Sequence, residues 1–197
     1  VTMEVCKNCI HVFTISEKYR KLKWEGVEAV SSIKPIEHTA VLGAGVMGGG
    51  IAQLLSAQDI RVRLKDINYA AIAKGLQTAG TIYKDVVKKK RLTKAQASRK
   101  MAQISFTLDY SGFKNLDLVI EAVVEDMSLK KRVFKELSET TNLQTILATN
   151  TSALSVTEMA KGTKDPSKVI GIHFFNPAHR MPLVEIITTP LTSKETI

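Results

Sequence analysis

The chain is poor in cysteine, in aromatic residues and in long apolar runs. Two cysteines among 197 residues exclude a small domain held by a disulfide framework, and their scarcity fits a reducing compartment. Charged or amide residues interrupt every apolar run well before the ~18 residues that span a bilayer, and no secretory leader pattern is present. We therefore expect a soluble, intracellular, globular protein without a transmembrane segment.

Positive charge dominates and is concentrated in one block. The formal net charge is +9. Residues 36–104 contain 12 lysines and arginines against 4 acidic residues, whereas the segments before and after them are nearly balanced. A local positive field raises the concentration of an anionic partner, such as a phosphate-bearing ligand, nucleic acid or a membrane surface.

The first 35 residues differ in character from the rest. They contain Cys6 and Cys9, with His11 close by. A zinc site normally requires four ligands, and the chain has no second cysteine pair, so we assign no metal. We interpret residues 1–35 as a leader or linker and residues 36–197 as the domain.

Beyond residue 35, apolar runs alternate with segments of helical periodicity. Residues 69–90, followed by a helix with a capping box at Thr93, predict a helical insertion after the second strand. The alternation predicts an α/β fold, a Rossmann-like doubly wound, mostly parallel sheet with helices on both faces. The predicted strands after the insertion are 104–108, 117–123, 145–148, 168–172 and 183–187.

A glycine-rich motif follows the first predicted strand and opens a predicted helix. Gly43, Gly45 and Gly48 match G-x-G-x-x-G, whose glycines permit a tight turn, the approach of a pyrophosphate and close helix packing. Asp66 closes the next strand, where its carboxylate can bind ribose hydroxyls and would repel a 2′-phosphate. The arrangement predicts a dinucleotide site that prefers NAD to NADP. The alternative is a glycine-rich turn without a dinucleotide.

Polar residues close two later strands, at the edge where ligands bind in doubly wound sheets. Ser152 follows one strand, and His173 and Asn176 follow another. Glu185 lies in the apolar run 183–187, where a carboxylate is costly unless it is paired, and a histidine on the adjoining strand is a natural partner. Such a pair suits general acid–base chemistry. A structural histidine beside an edge-strand glutamate is the alternative, and spacing alone does not separate the two.

Four separated motifs stand in a definite order along the chain: Gly43-Ala-Gly-Val-Met-Gly48, Glu121-Ala-Val-Val-Glu125, Asn150-Thr-Ser152 and His173-Phe-Phe-Asn-Pro177. In this order and spacing they resemble the NAD-binding domain of the 3-hydroxyacyl-CoA dehydrogenases. Three further stretches resemble the multifunctional fatty acid oxidation enzymes, whose alpha subunit joins an enoyl-CoA hydratase module to this dehydrogenase. These stretches are 65–68, 107–113 and 179–185.

The resemblance implies NAD-dependent oxidation of a 3-hydroxyacyl-CoA. It implies that His173 is the catalytic acid–base and that Glu185 orients it. Ser152 and Asn176 would contact the reacting end of the substrate and the nicotinamide. The other residues that it implies for the NAD site, besides the glycine turn, are Met47, Asp66, Val123, Val124, Glu125 and Lys130.

Lys88, Lys89 and Lys90 form the core of the basic block. One interpretation is contact with the phosphates of coenzyme A, and the other is a solvated helix face. No aromatic residues interleave with these lysines as stacking platforms, so we expect no nucleic-acid partner. His179 lies near the expected site, and its role stays open.

The resemblance also implies what surrounds the domain. The family continues into a helical C-terminal domain, so we expect an excised domain, with residues 1–35 as the tail of a connection to a hydratase module. In the intact protein this module would lie in cis, with further subunits, in the bacterial cytoplasm or in a mitochondrial or peroxisomal matrix. Two rival functions remain: a dinucleotide-sensing or scaffolding module without turnover, and a dehydrogenase of another hydroxy acid.

Overall fold

The structure, a computed structural model, describes Thr14 and residues 34–197. Cys6, Cys9 and most of the predicted leader lie outside the described residues. The absence of a zinc site at the two cysteines therefore stays a prediction.

Seven strands form a single sheet in the described part of the chain. They are β1 His38–Leu42, β2 Arg61–Lys65, β3 Ile104–Thr107, β4 Leu118–Glu121, β5 Ile146–Thr149, β6 Val169–Phe174 and β7 Val184–Ile187. The spatial order is β3-β2-β1-β4-β5-β6-β7, and all neighbours are parallel except β6 and β7. This is the doubly wound order of a Rossmann-like sheet, so the predicted fold class is confirmed.

Five α-helices of residues 34–197 pack against this sheet. They are α1 Val46–Ala57, α2 Tyr69–Lys88, α3 Lys94–Met101, α4 Met127–Thr140 and α5 Val156–Ala160. Both α2 and α3 lie between β2 and β3, which confirms the predicted helical insertion. None of these five helices combines the length and apolar character that crossing a membrane requires.

Side chains cap the start of four of these helices. Asn68, Asp126 and Ser155 each accept a backbone N–H of the first turn of α2, α4 and α5, respectively. Thr93 opens α3 in a reciprocal capping box with Gln96, which confirms the predicted motif. These caps satisfy N–H groups that the first turn of a helix leaves without an intrahelical partner.

The core lies on both faces of the sheet. On one face the strands pack against α1 and α2, and Ile51 and Leu64 are fully buried there. On the other face they pack against α4 and α5, around the fully buried Phe113 and Phe134. Burial of an apolar side chain of this size stabilises the fold by about 1.5–3 kcal/mol. The two layers hold the carboxyl ends of the strands at fixed positions.

The strand bounds lie within one residue of the predicted ones except at two ends, which differ by two residues. β4 ends at Glu121 rather than Val123, because the Glu121 carboxylate accepts the Val123 N–H at 2.8 Å and draws it out of the sheet ladder. β6 extends two residues further, to Phe174, because β7 pairs with it as far as Val184. The second difference places His173 inside a strand.

Candidate active site

The winding of the sheet reverses between β1 and β4, which are neighbours at its centre. Ligands of doubly wound sheets bind at such a point, beside the carboxyl ends of the strands. Gly43 follows β1 with a φ of +90°, and a Cβ there would lie 2.5 Å from the carbonyl oxygen of Ala122. A Cβ on Gly48 would collide with the Gly43 carbonyl oxygen. Both positions therefore require glycine.

The helix that follows this turn begins without a side-chain cap. Gly45, the N-cap of α1, offers no side-chain acceptor, and the first turn carries no acidic residue. A Cβ built on Gly45 meets nothing within 4 Å, so the space in front of the helix is open. Free N–H groups and the positive end of the helix dipole attract phosphate. The start of α1 therefore fits the pyrophosphate of a dinucleotide.

Asp66 follows β2 and faces the glycine turn. Its Oδ2 accepts the Ala44 N–H at 2.6 Å, and its Oδ1 accepts the Ile67 N–H at 2.6 Å. These bonds hold the carboxylate in a groove of about 770 Å³ that the glycine turn, α2 and residues 122–124 line. A carboxylate at this position suits ribose hydroxyls and repels a 2′-phosphate, so the groove fits NAD.

The apolar residues implied for the cofactor site differ in their surroundings. Val123 and Val124 line the groove, and Val124 is 69% exposed. Met47, in the first turn of α1, is half-buried and packs against the core on the α1 face. The two valines therefore form part of the groove wall, whereas Met47 lies at the edge of the core.

A buried ion pair lies beneath the loop after β4. Glu121 is fully buried and accepts hydrogen bonds from Lys130 Nζ at 2.6 Å and from Thr149 Oγ1 at 2.7 Å. The resemblance implies that Lys130 lines the NAD site, but only 1% of its side chain is exposed. Its ammonium lies between Glu121 and Glu125, so Lys130 reaches the site only through its carboxylate partners.

Glu125 connects this pair to the exposed part of the site. Its Oε2 lies 3.3 Å from Lys130 Nζ, and its Oε1 accepts the Thr151 hydroxyl and, at 3.2 Å, the Ser152 N–H. Burial raises the pKa of Glu125, but the Thr151 hydrogen bond and the Lys130 charge outweigh it and hold the pKa below its ordinary value. Glu125 is therefore an ionised, partly exposed acceptor at the mouth of the site.

The turn after β5 carries Ser152, which is exposed beside Glu125. Asn150 Oδ1 accepts the Phe174 N–H at 2.9 Å and ties this turn to β6. The Thr151 hydroxyl accepts the Leu154 N–H at 2.9 Å and closes the turn. Ser152 thus lies between the Glu125 loop and the strand that contains the histidine.

His173 and Glu185 form the predicted pair. They stand opposite each other in antiparallel β6 and β7, and His173 Nδ1 lies 2.8 Å from Glu185 Oε2. Among the described strands β7 lies at the edge of the sheet, and the Glu185 side chain is 52% exposed. With Nδ1 facing the carboxylate, Nε2 on the far side of the ring is left for a proton.

A second groove, of about 450 Å³, lies between α2 and the segment after β6. Asn176, Asp85 and His179 line it. Burial, and then the charge of Arg180, lower the pKa of His179 below its ordinary value against the opposing effect of Asp85. His179 is therefore a neutral imidazole at pH 7, in the groove that also contains the predicted substrate residue Asn176.

Lys88, Lys89 and Lys90 lie exposed at the C-terminal end of α2. Preceding turns of the same helix, within residues 74–85, line the second groove. The three lysines therefore continue this wall into solvent. Their position suits a charged group of a ligand that extends from the groove, and it equally suits a solvated helix end.

Sequence reasoning misses Glu121 and Thr149. A signal for them exists, because Glu121 closes an apolar run that the strand pattern places inside the sheet, and a buried carboxylate requires a partner. Lys130, in the first turn of the next helix, is that partner. The pairing of β4 with β5 then sets Thr149 beside Glu121.

Together with the His173–Glu185 pair, the NAD groove defines a dehydrogenase domain of the Rossmann-like class. Residues 38–197 match the family described as 3-hydroxyacyl-CoA dehydrogenase, NAD binding domain. The chain belongs to this family.

Two curated relatives show the context in which such a domain occurs. The fatty acid oxidation complex subunit alpha of Acinetobacter baylyi is 42% identical over 163 residues, which are 83% of this chain and 23% of the relative. A peroxisomal fatty acid beta-oxidation multifunctional protein of Arabidopsis thaliana is 36% identical over 197 residues, 100% of this chain and 27% of the relative. The chain thus spans about a quarter of the length of these relatives.

Solved structures of similar proteins share the fold. 3-Hydroxybutyryl-CoA dehydrogenase of Escherichia coli has a TM-score of 0.80 and 35% identity, over 83% of this chain and 34% of that one. (S)-3-Hydroxybutyryl-CoA dehydrogenase of Ralstonia eutropha has a TM-score of 0.80 and 37% identity, over 82% of this chain and 57% of that one.

Proposed function

We propose that the chain supplies the cofactor groove and the acid–base pair of an NAD-dependent 3-hydroxyacyl-CoA dehydrogenase. The reaction is the oxidation of (S)-3-hydroxyacyl-CoA to 3-oxoacyl-CoA in fatty acid beta-oxidation. The observation that carries the proposal is the 2.8 Å pair of His173 and Glu185 at the same sheet edge as the glycine turn. A base at that edge can take a proton from a substrate beside the cofactor.

Three parts of the chain would hold NAD. The uncapped start of α1 at Gly45 would bind the pyrophosphate, and Asp66 the ribose of the adenosine half. Glu125 would accept a hydroxyl of the nicotinamide ribose, because its ionised carboxylate is the exposed end of the buried network. When bound, NAD accepts the hydride that leaves C3 of the substrate.

His173 would act as the general base. Its Nδ1–H donates to Glu185, so Nε2 has the lone pair that can accept the proton of the C3 hydroxyl. The imidazolium that forms is stabilised by the negative charge of Glu185. Proton removal then accompanies the loss of hydride, and the C3 carbonyl is left.

The remaining predicted residues would hold the substrate. Ser152 lies in the turn that Asn150 ties to β6, and Asn176 follows the end of β6, so both would contact the reacting end of the acyl chain. Lys88, Lys89 and Lys90 would contact the phosphates of coenzyme A at the far end of the second groove. The 3-hydroxybutyryl-CoA dehydrogenases among the similar structures support a thioester substrate.

We extend the proposal to the setting of the domain. Residues 36–197 would be the NAD-binding domain, and residues 1–35 would connect it to a hydratase module in cis. Relatives named as subunits of a fatty acid oxidation complex and as a multifunctional protein support this setting. The compartment would be the bacterial cytoplasm or an organelle matrix, as the bacterial and peroxisomal relatives suggest.

The test combines a binding assay with a turnover assay. NADH is titrated into the chain by fluorescence, with NADPH as the control, and NADH should bind at least about tenfold more tightly because Asp66 repels a 2′-phosphate. Turnover of 3-hydroxybutyryl-CoA is measured in a chimera in which residues 38–197 replace the matching segment of the Acinetobacter baylyi relative. The unaltered relative is the positive control.

The outcomes separate the proposed function from its rivals. NADH formation by the chimera supports the dehydrogenase. NADH binding without turnover, in a chimera that folds, indicates a binding module instead. Turnover of a free hydroxy acid in preference to the thioester would point to another dehydrogenase, and equal affinity for both cofactors would contradict the role of Asp66.

A further inference from the structure

The carboxylate of the buried Glu121–Lys130 pair accepts three hydrogen bonds. Glu121 Oε1 accepts Lys130 Nζ at 2.6 Å and the Val123 N–H at 2.8 Å, while Oε2 accepts the Thr149 hydroxyl at 2.7 Å. Buried ion pairs are weak sources of stability, because desolvation offsets their attraction. Three donors on one carboxylate do, however, fix its position closely.

The partners of Glu121 lie on three separate elements. Val123 begins the loop after β4, Lys130 is in the first turn of α4, and Thr149 ends β5. Glu121 therefore joins, at one point, the loop that carries Glu125 and the strand that leads into the turn of Ser152. The hydroxyl of Thr149 also accepts the Thr151 N–H at 3.3 Å, which extends the connection into that turn.

Lys130 transmits the position of Glu121 to the site. Its ammonium lies 2.6 Å from Glu121 Oε1 and 3.3 Å from Glu125 Oε2, and only 1% of its side chain is exposed. The shorter distance belongs to the fully buried carboxylate, so Glu121 fixes where the ammonium lies. The ammonium in turn sets the position of Glu125, whose other oxygen accepts the Ser152 N–H.

We propose that Glu121 is a positioning residue of the site, which acts through Lys130 on Glu125 and through Thr149 on the turn of Ser152. Glu121 itself is fully buried and is not among the residues that line the cofactor groove. Without it, the Lys130 ammonium would move toward Glu125, its other carboxylate partner among the described residues. Glu125 would then be drawn from the Ser152 N–H and from the orientation in which it binds a ribose hydroxyl. This inference rests on the proposed NAD site.

The mildest test replaces one hydroxyl. Thr149→Val removes the hydrogen bond to Glu121 and keeps the shape of the side chain. Thr145→Val is a matched control, because Thr145 also lies in a buried position, 2% exposed, and its hydroxyl donates to the Leu116 carbonyl at 2.7 Å, at the opposite end of β5. Both variants should lower the urea midpoint by similar amounts. Only Thr149→Val should weaken NADH binding, by about threefold or more.

A double-mutant cycle tests the route through Lys130. Glu121→Gln should weaken NADH binding by about tenfold in the natural chain. In the Lys130→Met background the loss should fall to about threefold, because the route through Lys130 is then absent and only the route through Thr149 is left. If Glu121 acts only on overall stability, the two substitutions add and the affinity of the folded protein for NADH does not change. If the variants with Glu121→Gln or Lys130→Met do not fold, the comparison of Thr149→Val with Thr145→Val still tests the positioning role.

The failures of the two proposals are distinguishable. A natural chain that does not bind NADH contradicts the proposed function. A natural chain that binds NADH while Thr149→Val and Thr145→Val have the same affinity contradicts the positioning role alone. Effects of Glu121→Gln that are equal in both backgrounds would place its action outside Lys130, and this would also overturn the inference.

Discussion

Two pairs, each of a glutamate with a basic side chain, lie at the carboxyl edge of the same sheet. Their atoms are similarly close, but the pairs differ in solvent exposure and in position within the sheet. His173 and Glu185 are 2.8 Å apart on the last two strands, where the glutamate side chain is 52% exposed. Lys130 and Glu121 are 2.6 Å apart at its centre, where neither is more than 1% exposed. Water can reach the first pair. The second pair is closed to water, and removal of either partner would leave a buried charge unpaired.

The strand order causes this difference. β4 lies between β1 and β5, and helices cover both of its faces, so a carboxylate that closes it must be neutralised within the protein. β7 pairs on one side only, so the carboxylate of Glu185 keeps part of its hydration. In the proposed function, the pair that would transfer a proton and the pair that would hold geometry therefore occupy different places in one sheet.

The largest expected effect concerns the exposed pair. His173→Gln in the chimera should lower turnover of 3-hydroxybutyryl-CoA by about 10²- to 10⁴-fold, because the general base is lost, while NADH affinity should barely change. His38→Gln is the control, because His38 begins β1 and so lies at the edge of the sheet opposite to the glycine turn. Normal turnover in His173→Gln would show that the exposed pair has no acid–base role, and the proposed difference in role between the two pairs would then be wrong.

The next effect concerns the buried pair and appears in stability. Lys130→Met should lower the free energy of unfolding by about 3–5 kcal/mol, because it leaves a buried carboxylate without its cation. Lys131→Met is a matched control, since the neighbouring lysine forms an ion pair with Glu158 in which both side chains are more than 40% exposed. Urea unfolding measures both. Equal losses would show that burial does not separate the two lysines.

A smaller effect tests whether Glu185 assists the base. Glu185→Gln should lower turnover by roughly tenfold or more, because an amide stabilises the imidazolium less than a carboxylate does. The loss should be smaller than that of His173→Gln, since the general base itself is still present. Stability should stay close to that of the natural chain, since the side chain is half exposed. If Glu185→Gln loses stability and keeps full turnover, the His173–Glu185 pair has a structural role and does not assist the base.

The smallest effect is the pH dependence of Glu125. Its folded-state pKa is lowered from 4.5, so its stabilising contribution is fully present above about pH 4.5 and is lost as the pH falls through the folded-state value. The difference in urea midpoint between the natural chain and Glu125→Gln should therefore be constant from pH 7 to about pH 5 and should shrink below pH 4.5. A difference that persists at lower pH would mean that its charge is not what stabilises the network.

The parts of the site that are local in sequence could be predicted. The glycine turn and the acidic residue that closes the next strand form one recurring strand–turn–helix–strand pattern, so Gly43, Gly45, Gly48 and Asp66 could be recognised together. The partnership of His173 with Glu185 followed from a charged residue within an apolar run. The exposure of Glu185 did not follow, because whether a strand lies at the edge depends on the order in which strands assemble.

The network of Glu121 illustrates what sequence reasoning could not reach. Glu121 and Lys130 are nine residues apart, across a loop, and Thr149 is 28 residues from Glu121. Their contact is created by the parallel pairing of β4 with β5 and by the entry of α4 beneath the loop. The resemblance implies that Lys130 lines the cofactor site, and its contacts with Glu121 and Glu125, which depend on the completed sheet, could not be predicted.

The missing cap of α1 would couple the stability of the fold to the concentration of the dinucleotide that binds there. Four helices complete their first turns with a side chain of the chain itself, whereas α1 begins at a glycine and leaves this task to a ligand. A ligand that binds only the native state stabilises it by about 2.7 kcal/mol at a hundred times its dissociation constant. A cell rich in NAD should therefore retain more of this protein against proteolysis than a cell that is depleted of it.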